Sequence, residues 1–283
     1  MFTSQTFKTR IIFIPALMVI LFSGLVSCNY SNNLTSFFVD YGDLNSNGLI
    51  GYNLGIVEPD NYNRAQVSNL RRKGVKVIAY VSLGEVNPSR WYYSELKKRG
   101  FLGVNGNWNS YYINLQDSVS RSILLNEVIP KIMQKGFDGL FLDTVDDVAP
   151  NTKRSNLQPY MVELIKAIRD KYRNKYIIQN SGFFLLDKTK NEINAILIED
   201  VATNYNFNSH TYRLATQKYF NDRVNLIRKY QKIMQKPFYI VDYADNKTLQ
   251  QEVEKRLNGL GIPYFIGTIN LNSEYGIKQK LFN

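Results

Sequence analysis

Short apolar runs rich in β-branched residues alternate with longer amphipathic stretches through most of this chain of 283 residues. A continuous apolar run is typical of a strand buried on both faces, and apolar positions three or four residues apart are typical of a helix. The runs predict eight strands, at residues 37–41, 53–57, 75–82, 139–142, 176–179, 195–198, 238–241 and 262–266. The amphipathic stretches predict helices at residues 64–73, 121–135, 156–172, 210–235 and 248–258. This alternation favours a parallel sheet covered by helices.

Two architectures have this order of elements, a closed eight-stranded barrel and an open doubly wound sheet. An open sheet that binds nucleotides carries a glycine-rich turn after an early strand, and the sequence contains neither Gly-x-Gly-x-x-Gly nor a P-loop pattern. Eight strands in one domain of about this length are typical of the barrel. The sequence therefore predicts an α/β fold, a single-domain (β/α)8 TIM barrel over residues 37–283.

The first 28 residues have the features of an export signal. Lys8 and Arg10 precede an apolar run at residues 11–26, and Cys28 is the single cysteine of the chain. The segment LVSC at residues 25–28 resembles the bacterial lipobox, in which the cysteine is acylated and becomes the first mature residue. We expect residues 1–27 to be a signal peptide and residues 28–36 to be the lipidated Cys28 with a polar tether. The alternatives are an ordinary signal peptide and an uncleaved anchor.

The charge balance limits the partners of the chain. The sequence has 35 Lys and Arg against 24 Asp and Glu, and its net charge of +11 becomes +9 without Lys8 and Arg10. The basic residues are dispersed, and no zinc-finger spacing or RNP-like motif is present, so nucleic acid is not an expected partner. A basic surface suits anionic envelope polymers and lipid headgroups, which agrees with a lipid-anchored protein of the bacterial cell envelope.

Metal and triad chemistries lack their usual residues. The chain has one histidine, His210, and no Gly-x-Ser-x-Gly motif, so a zinc hydrolase or a Ser-His-Asp hydrolase would lack ligands or a nucleophile elbow. We expect no metal and no cofactor. His210 is predicted where a loop enters the fourth predicted helix, in a capping or loop role.

Carboxylates follow six of the predicted strands at their carboxyl ends, where TIM barrels carry their active sites. These residues are Asp40, Glu58, Glu85, Asp143, Glu199 with Asp200, and Asp242, while Asn180 ends the fifth strand. Each acid alone could cap a helix or form a loop salt bridge. Together they indicate a functional site, because like charges in one cleft raise each other's pKa values, which is costly without a function. Glycoside cleavage by two carboxylates is one such function.

Three segments resemble glycoside hydrolase family 114. They are VIAYVSLGE at residues 77–85, GFDGLFLDTVD at residues 136–146 and IED at residues 198–200. The resemblance implies a barrel that cuts α-1,4-linked galactosamine polymers with two carboxylates, which match Asp143 and Glu199 here. Asp143 would be the nucleophile or the ion-stabilising carboxylate, and Glu199 the general acid/base. The expected substrate-binding residues are Asp40, Tyr80, Glu85, Asp146, Asn180, Asp200, Tyr205, Asp242 and Tyr243.

The leading hypothesis is an exported, lipid-anchored glycoside hydrolase, endo-acting on an amino-sugar polysaccharide. One alternative is a non-catalytic carbohydrate-binding envelope lipoprotein that has kept a glycosidase-like barrel. Another is a glycosidase for a different sugar, because a fold does not fix a substrate. A separation near 5 Å between the two carboxyls would indicate retention of configuration, and one near 9 Å inversion. Aromatic residues between the third and fourth predicted strands either stack on sugars or pack over the barrel; they are Trp91, Tyr92, Tyr93, Trp108, Tyr111 and Tyr112.

Overall fold

The computed structural model describes Met1, residues 36–42 and residues 51–272. Its largest sheet has eight strands, paired in chain order, and every pair is parallel. These first to eighth barrel strands are Phe37–Asp40, Leu54–Val57, Lys76–Ser82, Gly139–Asp143, Tyr176–Asn180, Ala195–Glu199, Phe238–Tyr243 and Tyr264–Gly267.

The first strand lies beside the eighth, so the sheet curls into a nearly closed barrel. The rings of Phe37 and Phe265 are 6.4 Å apart, and the backbone N–H of Tyr41 donates to the carbonyl of Leu271 at 2.6 Å. The eight-stranded barrel predicted from the alternating pattern is thereby confirmed.

Both faces of the barrel strands are buried, which explains their unbroken apolar sequences. Nearly every residue of the fourth, sixth and seventh strands is buried, and Phe37, Ile56 and Phe141 are almost fully enclosed. Gly139 begins the fourth strand between Ile78 and Tyr176. A Cβ atom at this glycine would lie 1.9 Å from the carbonyl oxygen of Tyr176, so the close approach of these two strands requires glycine.

The α-helices of the described residues lie mainly between the strands. They are Arg64–Arg72, Tyr93–Lys97, Ser118–Ile123, Ile129–Met133, Gln158–Lys171, Leu186–Thr189, Gln217–Met234 and Lys247–Leu257, and a π-helical turn at Leu124–Val128 joins the third and fourth of them. The first helix starts with a capping box, in which Asn63 and Gln66 each accept a hydrogen bond from the other's backbone N–H.

The helix predicted at residues 210–235 begins only at Gln217. The residues before it form an antiparallel hairpin of Thr203–Asn206 with Thr211–Leu214. The Thr and Tyr residues of both segments favour strands here, and Thr216 caps the helix that follows by accepting from the N–H of Tyr219 at 3.3 Å. His210 therefore lies in the hairpin turn, at φ 50°, and the prediction that it marks a helix entry was wrong.

The segment after the third barrel strand forms a small antiparallel sheet that the sequence analysis did not predict. Its strands are Glu85–Val86, Phe101–Asn105 and Ser110–Ile113. Apart from Met1, the predicted signal peptide lies outside the described residues, as do Cys28 and most of its tether. Within the residues that are described, no helix has both the length and the apolarity needed to span a membrane.

Candidate active site

A cleft of about 830 Å³ lies at the carboxyl ends of the barrel strands. Asp143, Asn180, Glu199 and Tyr243 line it, and each stands at the last position of its strand, from the fourth to the seventh. Because these strands are parallel and adjacent, their final side chains converge on one floor. Residues of the small antiparallel sheet form part of the wall, together with Trp108 in the turn between its strands Phe101–Asn105 and Ser110–Ile113.

The side-chain amide of Asn180 joins the two candidate catalytic carboxylates. Its Nδ2 atom donates to Asp143 Oδ1 at 2.7 Å and to Glu199 Oε1 at 2.8 Å. Since one nitrogen touches both oxygens at these distances, the oxygens are no more than 5.5 Å apart. Asn180 comes from the strand between the two carboxylate strands, which explains how it reaches both.

Two tyrosines complete the hydrogen bonds of the pair. The hydroxyl of Tyr80 bonds to Asp143, and the hydroxyl of Tyr243 donates to Glu199 Oε2. Arg223 donates to the backbone carbonyl of Glu199 at 2.5 Å, which fixes the end of the sixth strand. Both carboxylates are thus held in place on rigid strands before any substrate binds.

The two carboxyl groups titrate differently. Burial raises the pKa of Glu199, and the charge of Asp143 raises it further, to about 8. Burial also raises the pKa of Asp143, but hydrogen bonds from Asn180, from the backbone of Thr144 and from Tyr80 oppose this rise. Because the charge of Asp143 raises the pKa of Glu199, an ionised Asp143 and a protonated Glu199 stabilise each other, which is the arrangement that suits a nucleophile and a general acid.

We expect kcat/KM for glycoside hydrolysis to fall as the pH rises through about 8, because Glu199 must be protonated to act as an acid. The hydrogen bond from Tyr243 lowers the pKa of Glu199. The Tyr243→Phe variant should therefore move this alkaline limb to higher pH, as measured in initial-rate profiles from pH 5 to 10. An unmoved or lowered limb would mean that another group controls it. Tyr230→Phe, outside the residues that line the cleft, is the matched control.

The backbone turns sharply directly after three of the four floor residues, Asp143, Asn180 and Glu199. Thr144, Ser181 and Asp200 have φ values of 58°, 48° and 54°, which is the left-handed region. Such residues cost about 1–3 kcal/mol each and persist only where the surroundings hold them. At Thr144 the side chain supplies this support, because its Oγ1 accepts from the N–H of Gly84 at 2.7 Å and bonds to Ser82 Oγ at 2.9 Å.

Several buried polar atoms around the cleft have no hydrogen-bond partner. They are Oδ2 of Asp147, Nε of Arg154, Oδ1 of Asn180, Oδ1 of Asp200 and Nε of Arg223. Buried polar groups in proteins are nearly always bonded, so a cluster of exceptions needs an explanation. Each of these atoms is almost fully enclosed, so an internal water molecule, or a local rearrangement when a polar ligand binds, would be needed to supply the missing partner.

Asp147 is a cleft residue that the sequence analysis missed. Its backbone carbonyl accepts from Thr152 Oγ1 at 3.0 Å, and its Oδ2 lies only 2.4 Å from the position that a Cβ at Gly84 would take. The space for this carboxyl thus depends on the glycine of the segment VSLGE. The signal for this residue in the sequence is the pair of adjacent acids after Val145, Asp146 and Asp147.

We expect the Asp147→Asn variant to be more stable than the wild type at pH 8 but equally stable near pH 3. Burial, with the charges of Glu85 and Asp146, raises the pKa of Asp147 from 3.8 to about 9. The wild-type protein therefore loses stability as the pH rises between these values, because the unfolded carboxyl ionises first. Asparagine does not titrate. Thermal melts from pH 3 to 9 measure the difference, with the exposed Asp170→Asn variant as control. A gap independent of pH would contradict the prediction.

The structure brings most of the predicted site residues together. The cleft is lined by Tyr80, Glu85, Asp143, Asp146, Asn180, Glu199, Asp200 and Tyr243. Glu85 is buried and accepts from Asn105 at 2.8 Å and from Ser110 Oγ, so its carboxylate also holds the small antiparallel sheet against the barrel.

Three predicted substrate-binding residues lie elsewhere. Asp40 is buried and accepts from the N–H of Gly42 at 2.6 Å. Asp242 is fully buried and accepts from the N–H groups of Ala202 and Thr203 at 2.7 and 2.8 Å, which ties down the loop after the sixth strand. Tyr205 lies on the hairpin, where its hydroxyl bonds to His210 Nδ1 at 3.2 Å. None of the three lines the cleft.

The charge of one further acid is compensated inside the cleft. Glu58 forms a two-pronged ion pair with Arg90, with both distances 2.6 Å.

Among the aromatic residues named from the sequence, Tyr92 and Trp108 line the cleft, while Tyr93 and Tyr111 pack on Phe101 of the small sheet. Within the described part of the chain, no three His, Cys, Asp or Glu side chains are arranged to hold a metal ion.

The sequence matches the model of glycoside-hydrolase family GH114 over residues 43–277. It is also 26% identical over 227 residues to an uncharacterised protein of Methanocaldococcus jannaschii. That alignment covers 74% of this chain and 64% of the relative, so the chain spans less than two thirds of the relative's length.

Two solved structures share the fold. One is the glycoside hydrolase domain of PelA from Pseudomonas aeruginosa, with a TM-score of 0.76 and 20% identity over 86% of this chain and 98% of that one. The other is Ega3 from Aspergillus fumigatus in complex with galactosamine, with a TM-score of 0.68 and 16% identity over 85% of this chain and 93% of that one. The match to the family model extends over most of the sequence. The chain therefore belongs to glycoside-hydrolase family GH114, a family of enzymes that cleave glycosidic bonds.

Proposed function

We propose that this protein is an endo-acting hydrolase of α-1,4-linked galactosamine polymers that retains the anomeric configuration. The observation that carries the proposal is the amide of Asn180, whose single nitrogen bonds to both Asp143 and Glu199. Retaining glycosidases place their two carboxyls about 5–5.5 Å apart, and inverting enzymes leave about 6.5–9.5 Å for a water molecule. The upper limit of 5.5 Å between the bonded oxygens favours retention.

In the first step, Glu199 gives its proton to the glycosidic oxygen while Asp143 attacks the anomeric carbon. The bond to the leaving sugar breaks and a covalent glycosyl ester forms on Asp143. In the second step, the ionised Glu199 takes a proton from water, whose oxygen attacks the same carbon and releases Asp143. The two inversions give net retention, and each carboxyl returns to its starting state.

An amino sugar suits the electrostatics of the cleft. Seven carboxyl groups line it: Glu58, Glu85, Asp143, Asp146, Asp147, Glu199 and Asp200. Only Glu58 among them has an ion pair in the described residues, with Arg90. Asp147 and Glu199 keep their protons at neutral pH, because their pKa values are raised to about 9 and about 8. Three arginines, Arg90, Arg154 and Arg223, also line the cleft. The other acidic side chains outnumber these arginines, and this excess favours a cationic ligand. Galactosamine is the sugar bound in the similar structure of Ega3. The cleft volume of about 830 Å³ leaves room for more than one sugar unit, as an endo-acting enzyme requires.

The direct test is digestion of α-1,4-galactosaminan by the purified protein, followed by ¹H NMR. We expect soluble oligosaccharides whose new reducing ends are first seen as the α anomer. First appearance of the β anomer would contradict retention. β-1,4-linked chitosan is the control polymer and should not be cut. Binding of galactosaminan with no release of oligosaccharide would favour the alternative of a non-catalytic carbohydrate-binding protein.

The proposal includes export and lipid attachment at Cys28, with the barrel in the cell envelope. Its support is the segment LVSC at residues 25–28 after an apolar run. We expect a clickable palmitate analogue to label the wild type in bacterial cells and to leave the Cys28→Ala variant unlabelled. Cys28 is the single cysteine, so labelling of the variant would rule out thiol acylation. The neighbouring Ser31→Ala variant is the control.

A further inference from the structure

A second concavity of about 570 Å³ lies on the hairpin Thr203–Asn206 and Thr211–Leu214. We call it the hairpin groove; the residues that matter here are Asn107, Asn204, Asn206, Phe207, Asn208 and Arg213. Asn107 comes from the tip of the small antiparallel sheet, so two separate segments build the groove. The groove shares no lining residue with the catalytic cleft.

Two aromatic rings separate the groove from the cleft. Trp108 lines the cleft, Phe207 lines the groove, and their ring centroids are 5.2 Å apart in an edge-to-face arrangement. The side chain of Trp108 is 46% exposed. We call these two rings the Trp108–Phe207 wall. A polymer that extends from the cleft across this wall would pass over apolar ring surface, on which sugar rings can stack, and then reach the groove.

Amide side chains dominate the groove. Asn204 lies opposite Arg213 in the hairpin, and Asn206 follows two residues later, so the three side chains share one face of the ribbon. The Asn206 oxygen accepts from the backbone N–H groups of Asn208 and Ser209 at 2.9 and 3.1 Å. Its amide N–H groups have no bond within the described residues and can serve a ligand. Amides both donate and accept, which matches sugar hydroxyl and acetamido groups.

The two sites differ in charge. The described residues that line the groove include Arg213 and no carboxylate, whereas seven carboxyl groups and three arginines line the cleft, which leaves an excess of acidic groups there. A cationic galactosamine unit is therefore favoured in the cleft, and a neutral unit is favoured in the groove. We propose that the hairpin groove is a second carbohydrate-binding site, which holds neutral N-acetylated units of the same polymer beyond the Trp108–Phe207 wall. The identity of this ligand rests on the proposed function.

The test measures binding of the full-length Glu199→Gln protein by affinity electrophoresis in gels containing partially N-acetylated α-1,4-galactosaminan. The added double substitution Asn204→Ala and Asn206→Ala should weaken binding about tenfold, because two side-chain hydrogen bonds are lost. The matched control is Asn174→Ala, an exposed asparagine just before the fifth strand. In the otherwise wild-type protein, the double substitution should leave hydrolysis of short galactosamine oligosaccharides within twofold of normal.

Unchanged binding of the double variant would overturn the proposal. So would an equal loss of short-oligosaccharide hydrolysis, since the hairpin would then act through the cleft. Tighter binding in gels of polygalacturonate would overturn the neutral-sugar assignment in favour of an anionic ligand at Arg213. If the wild type hydrolyses nothing, the proposed function fails, while polymer binding still decides the role of the groove separately.

Discussion

The Asp143→Asn variant is expected to lose glycosidase activity by a factor of about 10⁴ to 10⁶ in kcat, the range seen when an enzyme loses a single catalytic residue. Asparagine has the same shape and can still bond to Asn180 and Tyr80, but it has no charge with which to form the glycosyl ester. Initial rates on α-1,4-galactosaminan measure the loss. Circular dichroism should show an unchanged fold, because the substitution removes a buried charge without changing volume.

Comparison with Glu199→Gln separates the two roles. An aryl α-galactosaminide has a leaving group that needs little protonation, so Glu199→Gln should release aryl alcohol in a burst while Asp143→Asn should not. Asp222→Asn is the matched control, because its carboxylate lies on the surface beside Lys218 at 2.7 Å. A burst from Asp143→Asn, or more than a tenth of wild-type activity on the polymer, would refute its role as the nucleophile.

The Gly139→Ala variant is expected to lose about 3 kcal/mol or more of unfolding free energy, at the upper end of the usual cost of overpacking. The added Cβ would lie 1.9 Å from the carbonyl oxygen and 2.7 Å from the carbonyl carbon of Tyr176. Both are backbone atoms of the neighbouring strand, so no side-chain rotation can relieve the collision. The strands must separate where they pair, which disrupts the barrel. Urea denaturation followed by tryptophan fluorescence measures the change.

Gly106→Ala serves as the control for this variant. An added Cβ at Gly106 has no heavy atom within 4 Å, and the residue does not have a left-handed φ. Its stability should be unchanged or raised by up to about 1 kcal/mol, because alanine restricts the unfolded chain. Equal stabilities of the two variants would contradict the proposed collision at Gly139.

The barrel was predictable because its strands are buried on both faces and therefore have nearly continuous apolar sequences. The fourth strand, predicted at residues 139–142, is observed at Gly139–Asp143, and the sixth, predicted at 195–198, is observed at Ala195–Glu199. The strand ends placed Asp143 and Glu199 at one face for the same reason. The hairpin and the small antiparallel sheet were not predicted, because their half-exposed strands lack such runs.

The direction of a carboxylate could not be read from its position at a strand end. Asp40 and Asp242 end or nearly end their strands, yet Asp40 accepts from the N–H of Gly42, two residues further on, and Asp242 accepts from the N–H groups of Ala202 and Thr203 after the sixth strand. Asp147 lies four residues beyond its strand, and a short 3-10 turn brings it into the cleft. Loop backbone conformation decides these outcomes, and it leaves little trace in hydrophobic patterning.

Three residues with left-handed φ values separate the barrel strands, which carry the carboxylates, from the loops that form the cleft walls. Thr144, Ser181 and Asp200 turn the chain immediately after Asp143, Asn180 and Glu199, so each loop begins with its direction already set. Loop segments beyond these turns can be exchanged between relatives while the carboxylates stay on their strands. Specificity for a new polysaccharide should therefore be transferable by grafting the cleft walls, with the three turn residues kept as fixed junctions.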